Sequence, residues 1–193
     1  FKRGDGILRI LVCGDVVGGA GREAVKKHVP ELRKSLALDC VVVNGENAAG
    51  GFGVTKKICD GFMTAGADVI TGGDHIFDQR ETASFIGQYP TLLRPANFPE
   101  KVPGKGAYLF TTAEGKTVLV IHLLAQLFMK YNLSCPFARV TEILNDYRLG
   151  KTVDAIVVDF HGEATSEKTA MGHHLDGKVS LVVGSHTHIP TAD

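Results

Sequence analysis

Apolar runs alternate with amphipathic segments along the first half of the chain. Runs rich in Val, Ile and Leu predict strands, and apolar residues recurring every three or four positions predict helices. The predicted order is strand 7–13, helix 22–36, strand 40–43, helix 55–65, strand 68–71 and helix 78–88. Thr55 and Asp78 each stand where a side-chain oxygen can cap a helix N-terminus. This alternation is typical of a largely parallel sheet with helices on its faces.

The second half of the chain begins with a different pattern. A Pro- and Gly-rich stretch at 94–106 predicts a surface or active-site loop. Strands at 108–112 and 117–124 flank Glu114-Gly115-Lys116, which is typical of a β-hairpin. The remaining predicted elements are helix 137–147, strand 155–160, helix 166–174 and strand 179–183. Because the sequence has no internal repeat or clear linker, the pattern predicts one α/β domain over residues 1–193.

Five of the predicted strands are followed at once by polar side chains able to bind a metal. In a parallel α/β sheet, ligands bind outside the carboxyl ends of the strands. Residues that are distant in sequence would therefore come together at one edge of the sheet. The recurrence at five strands favours a functional site over coincidence. The residues are Asp15, Glu46, Asn47, Asp74, His75, His161, His186 and His188.

The chemical types of these side chains indicate which ions they would hold. Oxygen and imidazole donors without cysteine suit ions such as iron, manganese or zinc. The cysteine spacing excludes a structural Cys-rich zinc site. The candidate ligands, which are all of these residues except His75, are too many for one ion but fit two ions that share a carboxylate. Two ions about 3.5–4 Å apart can activate water and stabilise an in-line displacement. The residues therefore predict a two-metal site for phosphate ester hydrolysis.

Each of these residues also has a structural interpretation. A carboxylate after a strand often caps a turn, and a single histidine often occupies a strand edge. The pair His186 and His188 is more specific, because alternate residues of an extended segment face the same way. His75 directly follows a candidate ligand, so it would either protonate a leaving oxygen or merely orient Asp74. Imidazole suits the first role because it exchanges a proton near neutral pH.

Other polar features favour different roles. The segment 19–24 matches a dinucleotide-binding fingerprint, but its glycines follow the first strand too late for the tight turn of that motif. Arg94 and Asn97, in the predicted loop, are candidates for contact with a substrate phosphate. The histidines predicted to be structural are His28, His122, His173 and His174.

Charge balance, apolar runs and cysteine spacing argue against several classes of protein. Lys plus Arg and Asp plus Glu number 21 each, so the formal net charge of zero argues against an extended nucleic-acid surface. No apolar run approaches the roughly 20 residues of a membrane helix, and the start does not resemble a signal peptide. The 4 cysteines are widely spaced and indicate a reducing, cytoplasmic setting. Because the chain begins at Phe1 without Met and stops at Asp193 just after a motif, we expect a C-terminal segment to be missing.

Several segments together form a recognisable set of motifs. They are GDVVGGAGREAV, VVVNGENAAGGFG, GGDHIFD, LLRPANFP, VDFHGEATSEKTAMG and GSHTHIPTAD. This set, which extends from Ile7 to Asp193, resembles the bacterial YmdB-like metallophosphoesterase family. The resemblance implies a four-layer α/β-β/α sandwich with a binuclear iron or manganese centre. It also implies phosphodiesterase activity on small substrates, such as 2′,3′-cyclic or 3′,5′-cyclic nucleotides.

The resemblance assigns a role to each candidate residue. It implies that one ion is bound by Asp15, Glu46, Asn47 and His188. It implies that the second ion is bound by Asp74, His161 and His186, with Glu46 as the bridge. His75 matches the proton donor of the family.

The chain departs from the expected pattern at two positions. The first motif of the wider calcineurin-like superfamily is usually Asp-x-His, and Val17 stands at its third position. Asp74 stands where the family usually has Asn, and the added negative charge would tighten metal binding and weaken the Lewis acidity of the ions. The family also continues past the position of Asp193, into a segment that closes the fold near the site.

The leading hypothesis is a cytoplasmic two-metal phosphodiesterase with a small-molecule substrate. A metal-stabilised regulatory or scaffold protein, binding a nucleotide or protein partner with little turnover, is the alternative that Asp74 keeps open. A phosphomonoesterase is a third hypothesis. The sequence leaves the oligomeric state open, including a homo-oligomer.

Overall fold

The strands form two four-stranded sheets in the computed structural model, which describes residues 7–191. Residues 1–6 and 192–193, the ends of the predicted domain, lie outside the described residues. The strands are β1 Ile10–Cys13, β2 Cys40–Asn44, β3 Val69–Thr71, β4 Leu92–Leu93, β5 Ala107–Thr111, β6 Thr117–Leu124, β7 Ala155–His161 and β8 Leu181–Ser185. The helices are α1 Gly18–Ser35, α2 Lys56–Thr64, α3 Thr82–Phe85, α4 Pro136–Asp146 and α5 Thr165–Leu175.

The first sheet is parallel throughout and has the order β1-β2-β3-β4. Helix α1 turns Val25 and Val29 inward, four residues apart, so both lie on the face that packs on the sheet. Helix α2 begins as predicted, because the Thr55 hydroxyl accepts a hydrogen bond from the Ile58 amide at 3.3 Å. Buried Phe62 of α2 completes this outer core.

The second sheet has the order β5-β6-β7-β8, in which only the β5–β6 pair is antiparallel. This pair is the hairpin predicted from its flanking sequence. Helix α4 starts at Pro136, whose missing amide hydrogen costs nothing in the first turn. Its Val140 and the α5 residue Met171 pack with strand residues such as Ile156 in a second outer core.

A third apolar layer lies between the two sheets. Small side chains meet here, including Val42 and Val69 from the first sheet and Val120 and Val157 from the second. Full burial of one such side chain contributes about 1.5–3 kcal/mol. The chain therefore forms four layers in the order helix, sheet, sheet, helix, and the expected four-layer α/β-β/α sandwich is confirmed. Periodicity alone had suggested one largely parallel sheet, because it does not report which strands pair.

Several predicted boundaries differ from the observed ones. Helix α1 begins at Gly18 rather than at residue 22, and β8 is Leu181–Ser185 rather than 179–183. The prediction that Asp78 caps a helix over 78–88 is wrong. Helix α3 covers only Thr82–Phe85 and is followed by a 3-10 helix, Ile86–Gln88, because residues before it form turns. The two-residue strand β4 was not predicted. Within residues 7–191, none of the helices has the length and apolarity needed to cross a bilayer.

Candidate metal centre

The carboxyl ends of five parallel strands deliver the predicted ligands to one place. Strands β1, β2 and β3 of the first sheet end beside β7 and β8 of the second. Two overlapping groups of side chains have ligand atoms within 4.8 Å of one another, and Glu46 belongs to both. The first group is Asp15, Glu46 and His188, and the second is Glu46, Asp74, His161 and His186. The structure thus brings together the predicted carboxylates and imidazoles.

The second group converges on one nitrogen of His161. Its Nε2 lies 3.0 Å from Glu46 Oε2, 3.2 Å from Asp74 Oδ1 and 3.1 Å from His186 Nδ1. Ligand atoms at about 2.1 Å from an ion in octahedral geometry are about 3 Å apart. The observed spacings match that value, so these side chains fit one small divalent ion.

The first group is more open to solvent. His188 is exposed, and its Nε2 lies 3.1 Å from Asn47 Oδ1, which brings the predicted amide ligand to this group. Asp15 Oδ2 accepts a hydrogen bond from the His186 amide at 3.0 Å, so the chain after β8 is tied to the end of β1. A cleft of about 460 Å³ opens over Asp15, His186 and His188.

Two buried carboxylate oxygens test whether the site fits metal ions. Asp15 Oδ1 and Glu46 Oε2 are both buried without a hydrogen-bond partner. Glu46 Oε2 also lies 3.0 Å from His161 Nε2, a charge contact that a bound cation would replace. A buried oxygen without a partner carries a desolvation penalty of about 1–3 kcal/mol or more. One such oxygen lies in each group, and cations there would satisfy both.

The backbone around the site is held in uncommon conformations. His186 has φ 106° and His188 has φ 57°, both in the left-handed region that disfavours residues other than glycine. Such conformations cost about 1–3 kcal/mol and cluster at functional sites. Gly73 has φ 53°, and a Cβ there would overlap the carboxylate of Glu46. Only glycine fits at this position beside the shared ligand.

The charge state of the second group is set by burial and by close carboxylates. Burial lowers the pKa of His161, but the carboxylates of Asp74 and Glu46 outweigh burial and raise this pKa to about 10. Burial raises the pKa of Asp74, but its hydrogen bond with His161 holds that pKa well below the usual range. Without a metal, His161 and Asp74 therefore form an ion pair. A metal ion that binds His161 Nε2 must displace the proton from that nitrogen.

His75 lies beside the candidate metal ligands rather than among them. Its Nδ1 is 2.7 Å from Asp78 Oδ2, and its Nε2 is 4.0 Å from Asp74 Oδ2. Asp78 also pairs with Lys130 at 2.6 Å, so its carboxylate is engaged here instead of capping a helix. Burial raises the pKa of Asp78, but hydrogen bonds from Lys130 and His75 more than reverse the effect and lower it. The exposed ring of Phe52 packs edge-on against His75, with centroids 5.0 Å apart.

Sequence reasoning missed three polar residues that contact these side chains, Glu163, Ser185 and Asp78, and a fourth, Asp159, that bonds to Ser185 behind them. Glu163 Oε2 lies 3.2 Å from His186 Nε2, which leaves His186 Nδ1 directed at the second group. Ser185 Oγ lies 2.9 Å from His161 Nδ1. Asp159 lies two positions before His161 on β7, a spacing that places both on one face of the strand. Asp78 lies three positions after His75, and this short spacing was a further available signal.

Several other polar residues lie outside the two groups. His28 is exposed on α1, and His173 and His174 end α5, as predicted. Arg94 and Asn97 are buried and donate to backbone carbonyls, among them Pro95 and Leu124. Their contacts therefore support the loop and do not support a role in binding substrate. A larger cavity of about 620 Å³, beside α5 and β8, contains none of the predicted ligands.

Comparison with known proteins identifies the family. A model of the YmdB-like protein family matches residues 11–193. A 2′,3′-cyclic-nucleotide 2′-phosphodiesterase of Bacillus subtilis (strain 168) is 46% identical over 186 residues, which are 96% of this chain and 69% of that protein.

Two solved structures are also similar. A hypothetical protein from Thermus thermophilus superposes with a TM-score of 0.87 at 36% identity, over 96% of this chain and 70% of that chain. A novel phosphatase from Mycoplasma pneumoniae gives a TM-score of 0.85 at 31% identity, over 96% of this chain and 66% of that chain. The chain thus spans about two thirds of the length of these relatives. The motifs, the fold and these matches agree, and the chain belongs to the YmdB-like protein family.

Proposed function

We propose that this protein is a phosphodiesterase that hydrolyses 2′,3′-cyclic nucleotides with the help of two bound metal ions, iron or manganese. The observation that carries the proposal is the pair of ligand groups sharing Glu46, with one unpartnered buried oxygen in each. A shared carboxylate suits two closely spaced ions, because one side chain can then bind both of them. The relative from Bacillus subtilis, a 2′,3′-cyclic-nucleotide 2′-phosphodiesterase, supports the substrate class.

The ligands divide between the two ions according to the two groups. Asp15, Asn47 and His188 would hold one ion, and Asp74, His161 and His186 the other, with Glu46 shared. Ions bound there would act as Lewis acids that activate water and offset the charge on the phosphate oxygens. The donor set, with oxygen and imidazole and no thiolate, suits iron or manganese.

The residues of the chain would supply orientation and a proton. His75 would protonate the departing alkoxide from Nε2, because its Nδ1 is held by Asp78 at 2.7 Å. Asp78 is in turn fixed by Lys130, so the imidazole has one preferred orientation. Phe52, exposed and in contact with His75, offers a ring against which the base of a nucleotide can stack.

The activity test compares substrates and metal-ligand variants. Purified protein loaded with Mn²⁺ or Fe²⁺ is assayed with 2′,3′-cyclic AMP, 3′,5′-cyclic AMP and a phosphomonoester. We expect the 2′,3′-cyclic substrate to be preferred and Glu46→Gln to abolish turnover. Glu142→Gln, an exposed carboxylate on α4, is the matched control and should behave as wild type. Absence of turnover with every metal and substrate would reject the proposal, and preference for the monoester would make the protein a phosphomonoesterase.

Asp74 supports a second candidate function, a metal-stabilised regulatory or scaffold protein with little turnover. Its carboxylate adds a negative charge 3.2 Å from His161, at a position where the family resemblance implies a neutral amide. The Asp74→Asn variant distinguishes the two functions. A large gain in turnover would mean that the native site is attenuated, whereas a change in nucleotide binding alone would favour a sensor.

The chain fits a reducing compartment, and we place it in the cytoplasm as a single domain over residues 1–193. All 4 cysteines are free thiols. Burial raises the pKa of Cys40 and of Cys59 to about 12, which keeps both as unreactive thiols. The apolar layer between the two sheets supports one domain, since neither sheet could bury that face alone.

A further inference from the structure

A single buried carboxylate lies directly behind the metal centre. Asp159 is 2% exposed and lies on β7, two residues before His161. Because alternate residues of a strand point to the same face, its side chain shares the face that carries His161. Its partners come from both sheets, so it lies in the layer between them.

Four donors surround this carboxylate. Oδ1 accepts from the Ser185 hydroxyl at 2.6 Å, and Oδ2 accepts from Thr71 Oγ1 at 2.6 Å. Oδ2 also lies 3.4 Å from Asn44 Nδ2 and 3.3 Å from His122 Nδ1. An ionised carboxylate can accept from all four, since it offers two oxygens with two lone pairs each. The Asp159 carboxylate therefore acts as a hydrogen-bond acceptor in all four contacts.

The first path from Asp159 leads to His161. Ser185 has one hydroxyl hydrogen, and the 2.6 Å bond assigns it to Asp159. At its other contact, 2.9 Å from His161 Nδ1, the serine oxygen must accept. His161 therefore carries a hydrogen on Nδ1, and its Nε2 is the nitrogen left for a metal ion.

The second path leads to Glu46. Asn44, at the end of β2, donates its Nδ2 towards Asp159. Its Oδ1 accepts from the backbone amide of Glu46 at 3.1 Å. Hydrogen bonds at Nδ2 and at Oδ1 thus set the orientation of the Asn44 side chain. This side chain in turn holds the backbone of Glu46, the shared ligand.

The third path leads to Asp74. His122 Nε2 accepts a hydrogen bond from the Gly73 amide at 2.9 Å, so its hydrogen is on Nδ1. That Nδ1 faces the Asp159 backbone oxygen at 3.1 Å and Oδ2 at 3.3 Å. Gly73 immediately precedes Asp74, so the backbone before this ligand is held by the same carboxylate.

We infer that Asp159 is a positioning residue that orients three metal ligands at once, His161 through Ser185, Glu46 through Asn44 and Asp74 through His122. The inference rests on the proposed metal site. Its most specific consequence is that Ser185 fixes His161 as the Nδ1–H tautomer, which directs Nε2 at the second ion. Mutation of residues that orient metal ligands typically weakens metal affinity about 10- to 100-fold.

The test measures metal affinity rather than turnover. Titration calorimetry with Mn²⁺ on chelator-treated protein should give two binding events for wild type. We expect Ser185→Ala to weaken one of them about 10- to 100-fold and Asp159→Asn to weaken both. Ser180→Ala is the matched control, since its hydroxyl accepts from the Ile156 amide at the opposite end of the same sheet. Asp154→Asn is the control for Asp159→Asn, because it removes a carboxylate bonded to Thr117 far from the site.

A second readout reports the tautomer directly. Long-range ¹⁵N–¹H NMR on the zinc-loaded protein should show a hydrogen on His161 Nδ1 in wild type and a loss of this single tautomer in Ser185→Ala. Thermal unfolding of the metal-free variants shows whether a loss of metal affinity comes from a loss of stability. If Asp159→Asn does not fold, the metal affinity of Ser185→Ala alone tests the inference.

Wild-type affinity for both ions in Ser185→Ala, or ligation of His161 through Nδ1, would overturn the inference. A stability loss without a change in metal affinity would also overturn it, because that is the result of a merely structural role. Wild-type protein that binds both ions but cleaves no phosphodiester would instead contradict the proposed function and leave this inference standing.

Discussion

Gly73 and Glu46 are in such close contact that no side chain can be added at Gly73. A Cβ built there would overlap the Glu46 carboxylate, and φ of 53° already lies in the left-handed region. The loop after β3 and the ligand after β2 are therefore fitted to each other. This contact places the shared carboxylate between the two groups of ligands.

The contact predicts that Gly73→Ala displaces Glu46 and abolishes binding of at least one ion. The left-handed backbone adds a cost of about 1 kcal/mol or more for alanine. Metal content after reconstitution with Mn²⁺ is the measurement. Gly87→Ala is the control, because a Cβ there meets no atom within 4 Å and φ is not positive. Full metal content in Gly73→Ala would show that the site tolerates a displaced Glu46.

The proposed protonation by His75 predicts that the effect of its removal depends on the leaving group. His75→Ala should lower kcat for 2′,3′-cyclic AMP about 10²- to 10⁴-fold, because its alkoxide needs a proton to depart. With a p-nitrophenyl diester, whose leaving group is stable as an anion, the loss should be far smaller. Metal content should stay at the wild-type value.

Asp78→Asn should give a weaker form of the same effect, since Asp78 holds His75 Nδ1 at 2.7 Å without reaching the ligands itself. Equal losses for the two leaving groups in His75→Ala would assign His75 to orientation of Asp74 instead.

Phe52 predicts a contribution to binding of the base. It is 57% exposed and packs on His75. Phe52→Ala therefore removes a ring whose stacking with a base contributes about 1–3 kcal/mol to binding. We expect KM for 2′,3′-cyclic AMP to rise about 5- to 100-fold, with kcat little changed. Ribose 2,3-cyclic phosphate, which lacks the base, serves as the control substrate. If its KM rises equally, Phe52 supports His75 and does not bind the base.

Metal removal predicts a loss of stability. Asp15, Glu46 and Asp74 bring three carboxylates to one buried place, and ions that bind only the folded chain stabilise it. At an ion concentration of about 100 Kd this amounts to about 2.7 kcal/mol for each site. For a chain of this size, Tm should fall by about 5–10 °C or more on adding a chelator. If Tm recovers on adding Mn²⁺ but not Mg²⁺, the result would support imidazole ligands to the ions. A Tm that the chelator does not change would contradict a metal site that stabilises the fold.

The clustering of the candidate ligands could be predicted to a large extent because these residues follow parallel strands. Glu46 and His161 belong to different sheets, yet both lie at carboxyl ends, and the rule for such ends holds in either sheet. The division into two sheets was not visible in the periodicity, because β6 and β7 are mostly apolar and such runs do not report which strands they pair with. Strand β4 has only two residues, too few to show a pattern.

The partners of the ligands could not be predicted in the same way. The role of Asp159 depends on Asn44 and Thr71, which lie on a sheet that faces it only in the folded chain. Asp78 was assigned to a helix cap because local sequence favours that role. Its contact with Lys130 forms only when the loop around residue 130 packs on the site, and its contact with His75 takes the place of the expected cap.

The central claim is that two ions share Glu46, and metal stoichiometry tests it most directly. Protein purified without chelator is analysed by inductively coupled plasma mass spectrometry, in parallel with the Glu46→Gln and Glu142→Gln variants. We predict two equivalents of iron or manganese per chain for wild type and Glu142→Gln, and at most one for Glu46→Gln. Less than one equivalent in the wild-type protein, or two in Glu46→Gln, would contradict a binuclear centre built on this carboxylate.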